Sequence, residues 1–312
     1  MSAAPASADP RTVAGVTAVA LAELIALRHA ALRLRPAPRA RVPAAGVHPS
    51  RAHGRGMDYA ESREYQPGDD IRALDWRVTA RTGRAYTKLY REERERSLLL
   101  LVDTHPALRF GTRVRYKSVQ AARAAALAAW AAQRQGDRVG ALALGAQREA
   151  VPARAGARGV LAALGALARW DARAPIAPQP LSEGLARALA LVRGELRVLL
   201  LSDGQSCDVG AEEALRRLRK RAEVRVLIVA DALELAPPPR GRYAFAHAGA
   251  RLALALDGDA ARAAFVQRLG AGQQRLAAAC AAVAVPWRRI DTAEDPLPAL
   301  QALFDALPGA VR

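Results

Sequence analysis

The chain has 312 residues, 51% of them hydrophobic, with 47 basic and 30 acidic side chains for a net charge of +17, and it is long enough to bury roughly three quarters of its unfolded surface without staples. Two distant cysteines, Cys207 and Cys280, have no metal-ligand spacing, so neither a disulfide framework nor a cysteine metal site is expected and a reducing compartment is the default. The basic surplus is spread over 44 arginines and only three lysines, Lys88, Lys117 and Lys220, whereas a nucleic-acid protein gathers it on one face or helix; binding to anionic polymers is expected only as a non-specific, salt-sensitive effect.

The first ten residues read as disordered. The apolar run from Val13 to Leu27 is broken by Glu23, is shorter than the roughly 20 residues that span a bilayer, and lacks a basic leader and cleavage site. No membrane anchor is expected from it. A helix is predicted over about residues 16–33, with Leu21, Leu24, Ile25 and Leu32 on one apolar stripe and Glu23 on the opposite face. Residues 36–56, with Pro36, Pro38, Pro43, Gly46, Gly54 and Gly56, read as an extended linker. His48 and His53 in that stretch have no cysteine or acidic companion and read as solvated loop residues.

Residues 63–81, Arg-Glu-Tyr-Gln-Pro-Gly-Asp-Asp-Ile-Arg-Ala-Leu-Asp-Trp-Arg-Val-Thr-Ala-Arg, are the densest concentration of charge and turn chemistry in the chain. Gln66-Pro67-Gly68-Asp69 is a predicted turn: Pro67 fixes φ, Gly68 can take φ > 0, and Asp69 or Asp70 can accept from nearby backbone N–H groups. Arg63, Arg72, Arg77 and Arg81 stand around Asp69, Asp70 and Asp75, a composition suited to guanidinium–carboxylate pairs. Trp76 is expected to anchor the loop against the core. Residues 57–97 hold nine basic and nine acidic groups, so the segment reads as an internally paired clamp for a small β-rich insertion, with partner contact limited to its exposed edge.

This stretch resembles the signature of the domain of unknown function 58 family, in which Arg-x-Tyr-x-x-Gly-Asp-Asp-x-Arg-x-x-Asp-Trp-x-x-x-Ala-Arg precedes a von Willebrand factor A-like domain. Arg63, Tyr65, Gly68, Asp69, Asp70, Arg72, Asp75, Trp76 and Arg81 carry the match. Residues 84–92 resemble the strand that follows in the family, and the likeness runs over about residues 20–307.

Beyond residue 97 the pattern alternates strand and helix as a doubly wound, mostly parallel α/β sheet does, with helices on both faces. Strands are predicted at about 97–102, 138–144, 196–201, 224–230 and 287–290, with a possible edge partner at 147–151 and a polar hairpin at 242–256. Helices are predicted at 115–135, 156–169, 181–193, 211–222, 259–283 and 296–306. The organisation is therefore residues 1–35 as a disordered start and N-terminal helix, 36–96 as linker and signature segment, and 97–312 as the von Willebrand factor A-like domain.

Asp103, Asp203 and Asp231 end three parallel strands, the edge at which open α/β sheets bind ligands. In von Willebrand factor A domains the first strand ends Asp-x-Ser-x-Ser, and a later threonine and a further aspartate complete a divalent-cation site. Here the strand ends Asp103-Thr104-His105-Pro106-Ala107, replacing both serines. Ser182 or Glu183 could stand near the threonine position, and Asp103 with Asp203 would hold Mg²⁺ or Mn²⁺ only weakly, with water completing the shell. The competing reading is that these aspartates cap turns and accept backbone N–H bonds. Either way a crevice lined by residues 103–109, 203–207 and 231–235, with Thr104 and His105 at its edge, is expected to suit a partner's loop or carboxylate.

No Walker A motif, nucleophile elbow, His-Glu-x-x-His pair or dinucleotide fingerprint is present. Gly54-x-Gly56 and Gly270-x-Gly272 are two-glycine fragments expected by chance. No enzymatic activity and no tightly bound cofactor are expected. The family resemblance implies a cytoplasmic, non-enzymatic adaptor that works with a MoxR-type AAA+ ATPase to remodel, assemble or insert metal into an unknown client protein. The alternatives are a basic binder of nucleic acid or anionic surfaces and a divalent-cation-dependent adhesion-like module.

Overall fold

The computed structural model describes residues 13–35, 57–69, 71–92, 96–145, 147–173, 178–247 and 250–306. The linker over 36–56 with its two histidines, the first ten residues and Asp70 lie outside them. In chain order the elements are α1 (Leu21–Ala30), β1 (Met57–Glu64), α2 (Trp76–Thr82), β2 (Tyr86–Glu92), β3 (Arg96–Asp103), α3 (Lys117–Arg134), β4 (Arg138–Leu144), β5 (Ala150–Arg154), α4 (Gly156–Ala172) and α5 (Leu181–Leu191). There follow β6 (Glu195–Ser202), α6 (Ala211–Arg219), β7 (Glu223–Ala230), the short α7 (Ala232–Leu235), β8 (Arg242–His247), β9 (Ala250–Ala255), α8 (Asp259–Leu269), α9 (Ala271–Ala282), β10 (Trp287–Asp291) and α10 (Pro296–Asp305). They form two compact units, one within residues 41–95 and the other within residues 1–40 and 96–312.

The larger unit is built on a sheet ordered β10-β7-β6-β3-β4-β5. Its neighbours pair in parallel except β5, which is antiparallel to β4. Near-continuous apolar strands are what a parallel sheet covered on both faces requires. Alternation along β3 divides the core: Leu98, Leu100 and Val102 pack with α1, α3, α4 and α10, and Leu99 and Leu101 with α5, α6 and α9. After β3 the chain winds to β4 on one side and returns to β6 on the other, so strand order reverses between β3 and β6.

Several sequence expectations change here. The N-terminal helix begins at Leu21 rather than Val16, because residues 13–18 close a turn in which the Val13 carbonyl accepts from the backbone N–H groups of Val16, Thr17 and Ala18. Its buried residue is Leu24, joined by Ala31 and Leu34 just beyond its end, whereas Leu21, Ile25 and Leu32 of the predicted stripe are exposed. Glu23 does not face away from the core helices but pairs with Arg123 of α3. The helix expected over 259–283 is two helices, broken at Gly270.

In the smaller unit β1 and β2 form an antiparallel pair whose register shifts between Tyr59 and Glu61. The predicted turn is present: the Asp69 N–H donates to the Gln66 carbonyl at 3.0 Å, the Asp69 carboxylate accepts from Gln66 N–H at 2.9 Å, and Gly68 has φ +108°. Arg63 meets Asp69 at 2.7 Å. Asp75 departs from the expected arginine–aspartate network. Asp75 is a helix cap instead, accepting from Arg77 and Val78 N–H groups and from the Ser62 hydroxyl. No salt bridge among the described residues involves Arg77 or Arg81. Trp76 does not anchor the loop; it is 67% exposed on the first turn of α2. A capped helix places the residue after its cap on whichever side the cap geometry dictates, and here that side is solvent.

Candidate functional site

Asp103 ends β3 and Asp203 directly follows β6, on the two sides of the reversal in strand order, and Asp231 directly follows β7. All three are buried. Asp103 accepts from the hydroxyls of Ser202 and Ser206, both at 2.6 Å, and from the His105 N–H at 2.9 Å. Burial first, and then the neighbouring Asp203 carboxylate, push the Asp103 carboxyl above the ordinary aspartate range against those bonds. Asp231 caps α7: it accepts from Leu233 N–H, and Glu234 returns the bond by accepting from Asp231 N–H at 2.9 Å, a capping box. Thr112 adds its N–H at 2.9 Å and its hydroxyl at 2.7 Å.

The centre of the site is Lys117, a residue the sequence pattern did not single out. Its ammonium lies 2.7 Å from Asp203 and 2.7 Å from Glu234, with side-chain exposure of 1%. It also faces the Phe110 ring at 5.7 Å from the centroid. Asp203 accepts from Gln205 N–H with its other oxygen, and Glu234 from the Gln273 amide. Burial would lower the Lys117 ammonium, but the two carboxylates outweigh it and hold it above the ordinary lysine range. Burial pushes Glu234 upward against the pull of Lys117. The charged pair is the form the geometry favours, because the bonds to Glu234 all come from donors. Two signals could have marked Lys117: lysine is rare in this chain, and a cation at the first position of a long helix opposes the helix dipole unless carboxylates surround it.

Other candidates are placed differently from the expectation. Ser182 donates to Asp208 at 2.7 Å and Glu183 approaches Arg148, so neither stands beside Asp103. The His105 ring accepts from Ala107 N–H through Nδ1 at 3.1 Å, capping residues 106–108, which leaves Nε2 as the protonated nitrogen. Gly272, read as a chance glycine, approaches Gly204 so closely that a Cβ on Gly204 would lie 2.2 Å from the Gly272 carbonyl oxygen.

Beside this network a small crevice of about 40 Å³ opens between the end of β3, α3 and α4. Asp103, Thr104, His105, Arg109 and Ser118 are among its lining residues. The Ser118 hydroxyl is buried and has no hydrogen-bond partner among the described residues. Arg109 is exposed and donates to the Arg173 carbonyl at 3.0 Å. Thr104 is not available to a ligand in the same way, since its hydroxyl donates to the Leu144 carbonyl. Asp203 and Asp231 are taken up in the buried network, so the crevice is narrower in composition than the three strand ends predicted.

The larger unit is thus a doubly wound, mostly parallel α/β sheet with an N-terminal helix and buried acidic residues at its strand ends. Residues 61–275 match the family described as "Protein of unknown function DUF58", and the chain belongs to that family. Uncharacterized proteins of Mycobacterium bovis and Mycobacterium tuberculosis are each 36% identical to it over 201 residues, 63% of this chain and 62% of theirs. The chain thus spans 62% of the length of these mycobacterial relatives. Among solved structures, the conserved hypothetical protein BatB from Bacteroides thetaiotaomicron is similar with a TM-score of 0.40 and 14% identity, over 67% of this chain and 96% of that one. A von Willebrand factor type A protein from Catenulispora acidiphila is similar with a TM-score of 0.38 and 13% identity, over 70% of this chain and 42% of that one.

Proposed function

We propose that the chain is a non-enzymatic adaptor that docks an acidic group of a partner protein in the strand-end crevice, acting in the cytoplasm with a MoxR-type AAA+ ATPase in the remodelling, assembly or metal insertion of a client. The observation that carries the docking is the crevice itself, with the orphaned Ser118 hydroxyl inside it and Arg109 and His105 on its wall. All three can donate hydrogen bonds to a carboxylate. Catalysis has less support, since Asp103, Asp203, Asp231 and Glu234 all accept bonds already and a general base needs a free lone pair within reach of its substrate. Among the described residues no helix is long and apolar enough to cross a membrane.

Affinity capture tests it. The tagged chain, incubated in its native lysate with ATP, retains a MoxR-type ATPase, and Arg109→Glu with Ser118→Leu reduces that retention while leaving the melting temperature close to wild type. Absence of any AAA+ protein from the wild-type eluate removes the ATPase from the reading. Retention unchanged by the two substitutions removes the crevice. Retention of nucleic acid that persists near physiological salt favours the basic-binder alternative.

A further inference from the structure

The surroundings of Lys117 have the composition of a cation site. Carboxylates from two different strand ends converge on one buried point, Asp203 after β6 and Glu234 after β7, each 2.7 Å from the ammonium, with an aromatic face opposite. That point lies at the strand-end edge, where open α/β sheets bind ligands and where the family resemblance implies a divalent ion. The donor set around it does not fit such an ion. The Asp203 and Glu234 oxygens nearest the centre are bound to Lys117, and the Ser202 hydroxyl is engaged on both sides, donating to Asp103 and accepting from Gly204 N–H. Among the described residues no group of three or more histidine, cysteine, aspartate or glutamate side chains is placed to hold a metal.

We infer that Lys117 is an internal cation standing in for the divalent ion, so that the strand-end site is complete without metal, and that removing the ammonium turns Asp203 and Glu234 into a divalent-cation site. The ammonium is tethered to α3, so it cannot dissociate. Its charge is single where a metal's is double, and the face of the Phe110 ring helps to hold the ammonium in place. A ligand carboxylate cannot reach the ammonium through a side chain with 1% exposure, so recognition at this edge has no metal-coordination step. The inference stands whether or not the crevice docks a partner.

The test compares wild type with Lys117→Ser, which empties the position and adds a hydroxyl oxygen. Thermal melts are recorded in EDTA and in 10 mM Mg²⁺ or Mn²⁺. Wild type is expected to melt at the same temperature in all three, and Mn²⁺ titration followed by electron paramagnetic resonance is expected to detect no bound ion. Lys117→Ser is expected to melt lower in EDTA and to gain about 3 °C or more with the divalent ion, as binding at about ten times the dissociation constant gives. Adding Asp203→Asn should abolish the gain. If Lys117→Ser fails to fold in EDTA, refolding in Mn²⁺ should restore its circular dichroism spectrum. Stoichiometric Mn²⁺ on the wild type, or a Lys117→Ser chain that neither gains stability nor refolds with either ion, overturns the inference.

Discussion

Replacing Lys117 by methionine keeps most of the side-chain volume and deletes the charge, leaving Asp203 and Glu234 buried around an apolar group. The two contacts at 2.7 Å are each worth about 6 kcal/mol of gross attraction at an effective dielectric constant near 20. Desolvation of three ions, several kcal/mol apiece, offsets most of that. What decides the outcome is the state left behind: removing one partner of a buried pair costs about 3–5 kcal/mol because the remaining charge is uncompensated. Lys117→Met should therefore lose about 3–5 kcal/mol in urea denaturation at pH 7.5, with the slope of the transition unchanged. Lys117→Met with Glu234→Gln should recover at least about 1 kcal/mol of that loss, since only one buried carboxylate then remains. The alkaline limb carries the same signature. The folded pKa of Lys117 lies above the ordinary lysine value of 10.5, so its contribution is fully present below 10.5 and is lost as pH rises through the folded value. A single-mutant loss under about 1 kcal/mol, or additive losses in the double mutant, would refute the view that this pair is a buried, mutually compensating charge cluster.

Asp103 gives a pH dependence of the same sense in the acid range: burial raises its folded pKa above 3.8, so the folded state holds the proton more tightly, and the associated stability is greatest below 3.8 and falls as pH rises through the raised value. The stability of Asp103→Asn relative to wild type, followed by urea melts from pH 4 to 7, should therefore improve with pH; a flat difference contradicts it. Gly204→Ala forces a side chain onto φ +76° and sets its Cβ 2.2 Å from the Gly272 carbonyl oxygen, and should cost at least about 2 kcal/mol by chemical denaturation. A near-neutral result would show that α9 shifts freely. Burial pushes the Cys207 thiol up to about 11 and the Cys280 thiol up to about 12, so a thiol reagent at pH 8 should label neither in the native protein and both after unfolding; rapid native labelling of either would count against the packing of α9.

Much of the larger unit is legible because each of its strands carries its own signal. The apolar runs at 97–102, 196–201 and 224–230 can satisfy their backbone only inside a sheet covered on both faces, and the intervening helices repeat at helical spacing. The failures share a cause. Helical periodicity places Leu21, Ile25 and Leu32 on a core stripe, yet the core is met by Leu24 of α1 and by Ala31 and Leu34 just beyond it, a choice made by the partner surface and the turn before the helix. The signature residues were read by composition as arginine–aspartate pairs; Asp75 instead satisfies backbone N–H groups that exist only once α2 has formed. Gly272 looks accidental in the sequence because the backbone it approaches, at Gly204, is more than sixty positions away.

The sequence by itself determined the α/β alternation, the turn at Gln66–Asp69, the three strand-end aspartates and, through the 63–81 signature, the family, because these depend on local propensity and spacing. Only the tertiary structure decided what the aspartates bind. Lys117 is 86 positions from Asp203 and 117 from Glu234, and nothing local distinguishes a lysine that opens a helix in solvent from one that the sheet's winding brings between two buried carboxylates. The charge balance of the site is a property of that winding.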